Sequence, residues 1–309
     1  MVLDRIELNL LKEQLWNLAS DKTISVFEIE TFLRNFFKKK PLPLVNIAYE
    51  NYCRCSLNNK GEIFKSVARC SYNPYIDSIK LQRCNYEKQQ VFYAAVPTQA
   101  QVKCTGTSIM EVTWEHISNH FLDYYFVTLS RWITKRLLKV FFFPDLKTEQ
   151  SVEQGVDTER DMMESAGLSQ QDIPYYLAVL KFFREVLGIK DDKEIWYRIS
   201  AAFYNCIMRF SGDENRQIDG MVYSSANTGK VGTNIVLKKE LIDNGTLYCD
   251  YVQMWIAKRN SSNPTDIWFH PVSDGVKPQT DGSFKIVLYP QFIEDFKNAP
   301  SLDTLAIAD

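Results

Sequence analysis

Along the first forty residues, apolar positions recur at the spacing of amphipathic helices. Ile6, Leu8, Leu11, Leu15 and Leu18 mark one helix over 4–20. Ser25 with Glu28 three residues later has the form of a capping box, and Phe27, Ile29, Phe32, Leu33, Phe36 and Phe37 supply the apolar side of a second helix. Lys38, Lys39 and Lys40 favour its end, and Pro41 and Pro43 stop it. From about residue 50 the pattern breaks into short segments with Cys, Asn and Gly, and Asn73-Pro74 marks a turn. Val91–Val96 reads as a strand ended by Pro97. Thr105-Gly106-Thr107-Ser108 then opens a helix. Its inward face is Ile109, Val112, Ile117, Phe121 and Leu122, with Glu111 near the first turn. Residues 124–133 and 137–143 read as strands.

The second half alternates in the same way. Residues 150–166 are polar and acidic, a loop with some helix. Ser169, Asp172 and Pro174 start a helix that carries Tyr176, Val179, Leu180, Phe183 and Val186 inward until Gly188. Another helix spans 192–210, with Ile195, Ile199, Ala202, Phe203, Cys206 and Ile207 inward. Strands follow at 218–225, 232–237, 247–256 and 284–288. No internal repeat or low-complexity linker is visible. The pattern predicts an N-terminal helical element over 1–45 followed by one α+β domain over 46–309.

Composition narrows the function classes. Apolar residues make up 45% and charged residues 24%, with a net charge of -2, as in an ordinary folded domain. Without a basic excess, neither an extended nucleic-acid surface nor a membrane-binding face is expected. No apolar segment reaches the length of a membrane span, and the N-terminus does not read as a signal peptide. The 7 cysteines, an odd number, read as reduced thiols in a cytoplasmic protein. Cys53, Cys55, Cys70 and Cys84 are too irregularly spaced for a structural zinc site. His116 and His120, four apart on a helix, lack the companion carboxylate of a metalloprotease motif, so no metal is expected.

Candidate chemistry concentrates in two stretches. In the first, Arg83 precedes the apolar, aromatic run Val91-Phe92-Tyr93-Ala94-Ala95, and Glu111 follows in mostly apolar surroundings. A charge drawn into such surroundings must find a partner or a ligand, and Arg83 and Glu111 could simply pair with each other. The second stretch is strand, loop, strand: Asp219-Gly220-Met221-Val222-Tyr223-Ser224-Ser225, then Gly232-Thr233-Asn234-Ile235-Val236-Leu237. Tyr93 could equally be core packing and Ser225 a turn residue. Gly229-Lys230-Val231-Gly232 lacks the spacing of a nucleotide-binding glycine motif and reads as a strand connection, although its lysine could touch phosphate.

Taken together with Arg83-Cys84-Asn85 and Phe92-Tyr93-Ala94-Ala95, Glu111 and the two later segments resemble the RES-domain family, named for an arginine, a glutamate and a serine. The resemblance covers about residues 66–260, and the family serine falls on Ser225. Three features depart from the family pattern. Cys84 replaces an aromatic residue, no glycine follows Asn85 within Tyr86-Glu87-Lys88-Gln89, and the spacer between Glu111 and Ser225 is long. The family implies a fold similar to ADP-ribosyltransferases, a split mixed sheet around an NAD cleft. It also implies NAD as substrate, cleaved by hydrolysis or phosphorolysis, often in a bacterial toxin restrained by an antitoxin.

The residues suit that chemistry. The Arg83 fork matches pyrophosphate oxygens, and Glu111 could stabilise positive charge developing on the ribose. Tyr93 could stack on nicotinamide, and Ser225 could hydrogen-bond the carboxamide, ribose or phosphate. No histidine-based system accompanies Ser225 to make it a nucleophile. Asn85, Tyr223 and Asn234 complete the expected NAD-binding set. Two other readings remain open at this stage: a non-catalytic nucleotide- or protein-binding module, and transfer of ADP-ribose to a macromolecule.

Overall fold

The computed structural model describes residues 2–38, 40, 42–97, 103–118, 123–143, 161, 163–164, 167–189, 194–210, 217–229, 231–260 and 266–299. It is a mixed α+β structure. Nine strands, β1 (Leu44–Ile47), β2 (Tyr52–Leu57), β3 (Val91–Val96), β4 (Tyr124–Thr134), β5 (Leu138–Phe142), β6 (Gly220–Ser224), β7 (Thr233–Lys238), β8 (Leu247–Arg259) and β9 (Ile267–Pro271), form one sheet. Their order is β1-β5-β6-β7-β3-β2-β4-β8-β9. Only β5 and β6 run parallel; every other neighbouring pair is antiparallel. Helices among the described residues are α1 (Val2–Ser20), α2 (Val26–Phe37), α3 (Val67–Cys70), α4 (Cys104–Ser118), α5 (Ile173–Leu187), α6 (Glu194–Arg209), α7 (Glu240–Asp243) and α8 (Ile293–Lys297).

Most elements form where the apolar pattern places them. The Ser25–Glu28 capping box is present at the start of α2, and Asp172 precedes Pro174 at the start of α5. Three short strands, β1, β2 and β9, have no counterpart in the sequence reading, and β8 extends past 256 to Arg259. Residues 284–288 do not form a ladder strand; among them only Leu288 makes an isolated bridge, to Ser273. Ile6 and Phe27 face solvent, leaving the buried faces of the first two helices to Leu11, Leu15, Ala19, Ile29, Leu33 and Phe37. Phe121, Leu122 and His120 lie outside the described residues, as do 150–160 and Lys230.

Helices α5 and α6 cover one face of the sheet: Phe203 of α6 lies 5.6 Å from Phe141 of β5, which shares a face with Met221, Val236 and Tyr93, whereas Phe92 meets Trp132 edge to face at 5.0 Å on the opposite face. Behind these helices, Phe37 of α2 sits 5.9 Å from Phe183 and 5.8 Å from Phe203, themselves stacked at 4.1 Å. Burying each ring contributes about 1.5–3 kcal/mol, so this aromatic layer ties the N-terminal helices to the body. Arg198 of α6 reinforces the join by donating to the carbonyls of Ala19, Asp21 and Ile24 between α1 and α2. Farther along the face that α5 and α6 cover, α4 lays Ile109 against Cys55, Tyr125, Val127 and Ala257.

The sheet is pinched in the middle. β3 and β2 meet at one residue pair, Cys53 opposite Ala95, whereas β3 pairs with β7 along its whole length. Arg54 of β2 spans the junction instead, donating from Nη1 to the Tyr93 carbonyl at 2.8 Å. Burial pulls its guanidinium down to about 10, still a cation at neutral pH. The pinch leaves strands β1-β5-β6-β7-β3 on one side and β2-β4-β8-β9 on the other.

Candidate active site

Strand pairing brings the polar residues of both informative stretches onto one face. Asn234 of β7 lies opposite Ala95 of β3 on one side and opposite Tyr223 of β6 on the other. Residues opposite each other in an antiparallel pair share a face, and so do residues two apart on a strand. Tyr93, Asn234, Tyr223 and Ser225 therefore line the face that α4 crosses. On α4, Thr107 and Glu111 stand one turn apart on the same side. Thr107 fits there because residue 232 is glycine: a Cβ at Gly232 would come 2.5 Å from Thr107 Oγ1 and 2.8 Å from Thr228 Oγ1. Glu111 is thus carried roughly two turns into the helix rather than near its first turn.

Three neutral donors hold the Glu111 carboxylate. Ser225 Oγ and Asn234 Nδ2 donate to Oε1, the latter at 2.8 Å, and Asn227 Nδ2 donates to Oε2 at 3.0 Å. No lysine or arginine among the described residues forms an ion pair with it. Among the described residues the carboxylate is therefore fixed in place by uncharged groups. Ser225 is fully buried, and its hydroxyl is already used, donating to Glu111 and accepting from the Thr228 amide at 3.3 Å. It is a positioning residue for the glutamate.

Arg83 occupies a second, distinct position. It does not pair with Glu111: its Nη2 donates to the Ile189 carbonyl at 2.9 Å, and its guanidinium lies 5.5 Å from the Tyr197 ring centre. The Nε atom is buried without a hydrogen-bond partner. Burial works against the cation, but Tyr223, Tyr197 and Glu111 around it outweigh this and hold its pKa above the ordinary value. Glu111 is close enough to be felt and too far to bond. Among the described residues, Arg83 Nε is thus a buried donor left open within electrostatic reach of a carboxylate held by neutral donors.

The other expected residues divide by role. Asn85, buried, spends its amide on the carbonyls of Lys80 and Tyr86, and its oxygen accepts from Tyr93 Oη at 2.9 Å. Tyr93 Oη in turn accepts from the Cys84 amide at 2.9 Å. These two residues brace the loop that presents Arg83, so the Tyr93 hydroxyl is committed to the protein. Tyr223 is buried beside Asn234, and burial pushes its phenol well above the ordinary range, leaving it neutral. Asp219, part of the same motif, faces elsewhere: it pairs with Arg136 at 2.7 Å and accepts from the Lys139 amide at 2.9 Å.

The sequence reading did not single out Asn227, Tyr197 or Arg54. Asn227, two residues past Ser225 in a turn, offered a weak signal; Tyr197, one aromatic residue in a helical run, offered none. No group of three or more His, Cys, Asp or Glu side chains among the described residues is placed to hold a metal ion. No helix among them is long and apolar enough to cross a membrane. A scan of the chain against family models finds no match, and a search of curated proteins finds none either.

Proposed function

We propose that the chain cleaves NAD at the bond between nicotinamide and ribose, as a glycohydrolase or phosphorylase on an ADP-ribosyltransferase-like split sheet. The observation that carries this reading is the Glu111 carboxylate, held by three neutral donors and by no cation among the described residues, within electrostatic reach of the open Nε of Arg83. NAD carries the complementary charges: an anionic pyrophosphate and a ribose that becomes cationic as the bond breaks. The pinch between β3 and β2 agrees with a sheet that opens around a ligand.

In this mechanism Arg83 takes pyrophosphate oxygens through its planar donors. The bond between C1′ and the pyridinium nitrogen breaks with its electron pair going to nitrogen, so nicotinamide leaves neutral. Positive charge spreads over C1′ and the ring oxygen, and Glu111 stabilises it. The carboxylate needs no reorganisation, because Ser225, Asn227 and Asn234 already fix it. Water or phosphate then adds to C1′; water gives up a proton to solvent. Ser225 forms no covalent bond.

Nicotinamide release by purified protein, measured with and without phosphate, tests the proposal. Glu111→Gln keeps the shape and removes the charge, and it is expected to slow release on the order of a hundredfold or more. Phosphate dependence identifies the acceptor. Labelled ADP-ribose found on a protein would instead indicate macromolecular transfer. NAD binding without turnover by the folded wild type would leave a binding module.

A further inference from the structure

Outside this site, two cysteines stand in an arrangement that packing alone does not require. Cys53 lies on β2 at the pinch, opposite Ala95, and Cys104 is the first residue of α4. Their sulfurs are 2.7 Å apart, although the residues are 51 positions apart in sequence. The Cys104 thiol donates to Asn51 Oδ1 at 2.8 Å, Cys53 Sγ lies 3.5 Å from the same oxygen, and Thr105 Oγ1 is 3.9 Å from Cys53 Sγ. The other five cysteines, Cys55, Cys70, Cys84, Cys206 and Cys249, have no such thiol neighbour among the described residues. Both members of the pair are free thiols, with Cys104 the more exposed at 7% against 3%.

We infer that Cys53 and Cys104 form a dithiol site that reacts with hydroperoxides and closes to an intramolecular disulfide. The two thiols have different parts. The Cys53 thiol donates to the Cys104 sulfur, which also receives the backbone amides of the first turn of α4, so Cys104 is held below the ordinary thiol range and Cys53 above it. Cys104 is therefore the attacking sulfur. Its thiolate takes the terminal oxygen of the hydroperoxide: an S–O bond forms, the O–O bond breaks, and the departing alkoxide picks up a proton as an alcohol (or as water, from hydrogen peroxide). Cys53 then attacks the sulfenic sulfur. The S–S bond forms, the S–O bond breaks, and the hydroxyl leaves as water with the Cys53 proton. Two thiols are oxidised by two electrons and one hydroperoxide is reduced.

The position of the pair gives the reaction a structural consequence. Cys104 begins the helix that carries Glu111 roughly two turns later, so a covalent tie fastens that helix to β2 at the narrowest point of the sheet. The chemistry itself does not depend on NAD cleavage, and neither does its test.

The full-length protein, treated with hydrogen peroxide and then alkylated under denaturing conditions, is digested without reductant and its peptides weighed. The expected product is one cross-linked peptide pair joining Cys53 to Cys104, lighter by two hydrogens, with the other five cysteines alkylated. A Cys53→Ser variant is expected to leave a sulfenic acid at Cys104 that a dimedone probe captures. Alkylation of both Cys53 and Cys104 after treatment would overturn the inference. So would a disulfide joining either residue to a different cysteine, or sulfonic acid at Cys104 of the wild type without the cross-link.

Discussion

At the scale of single residues, the site separates groups that would meet a ligand from groups that hold them. Glu111 and Arg83 belong to the first kind; Ser225, Asn85 and Tyr93 belong to the second. Ser225→Ala tests the division. It removes one of the two donors to Glu111 Oε1 and the acceptor for the Thr228 amide, both at a buried position. Stability is expected to fall by about 1–2 kcal/mol, read from denaturant unfolding. Under the proposed NAD-cleaving function the turnover number should drop roughly tenfold with KM nearly unchanged, because the Ser225 hydroxyl is spent on the carboxylate. Complete loss of turnover together with a trapped acyl- or glycosyl-serine in the wild type would make Ser225 a nucleophile instead. The sequence identified Arg83, Glu111, Ser225 and Asn234 as polar residues in apolar settings. It could not say that Arg83 and Glu111 stay apart, because that depends on Ile189 and Asn227 occupying their hydrogen-bonding atoms.

Among the elements, the loop over 80–90 is the one most dependent on its neighbours. Tyr86 donates to the buried carboxylate of Glu30 on α2, and Gln89 Nε2 donates to Asn205 of α6 at 2.7 Å. Glu30 is also paired with Arg209 at 2.9 Å, though Arg209 is half in water, so much of that attraction is screened. The N-terminal helix α2 thus reaches the Arg83 loop directly. Tyr86→Phe deletes this one link and, under the proposed function, is expected to raise KM for NAD several-fold while leaving the turnover number near its wild-type value. The unfolding free energy should fall by about 1–3 kcal/mol, because Glu30 loses a buried donor. Unchanged NAD binding by calorimetry in this variant would show that the loop is held well enough by Asn85 and Gln89. Helical periodicity located α2 with its cap, but not this contact, since Glu30 reads in sequence as an ordinary polar position between Ile29 and Thr31.

At the scale of the whole molecule, buried phenols set an alkaline limit to stability. Burial pushes Tyr52 up to about 12 and holds Tyr93, Tyr204 and Tyr223 well above the ordinary range. A phenol whose pKa is raised by folding contributes stability that is complete below its unfolded value of about 10 and is lost as pH climbs towards the folded value. Unfolding is therefore expected between roughly pH 10 and 12, with the buried tyrosines ionising in the same step in which near-ultraviolet circular dichroism disappears. Gradual ionisation of all sixteen tyrosines with that signal intact would contradict this burial.

The sequence by itself determined the elements whose signal is local and repeated: the two N-terminal helices, the α5 and α6 faces, and strands β3 to β7 outside their ends. Hydrophobic spacing and caps act between residues a few positions apart, so they can be read along the chain. Strands β1, β2 and β9 are short and take their identity from a partner: β1 from β5, β2 from β4, and β9 from β8. Only tertiary structure decided them, because hydrogen bonds to a distant strand compensate for weak local preference. The same holds for the site. Residue types gave the candidates, but the three donors around Glu111 come from positions 114 to 123 residues away in the chain. The Cys53–Cys104 contact has the same origin: it joins β2, which pairs with β4, to the start of α4, 51 positions away in the chain.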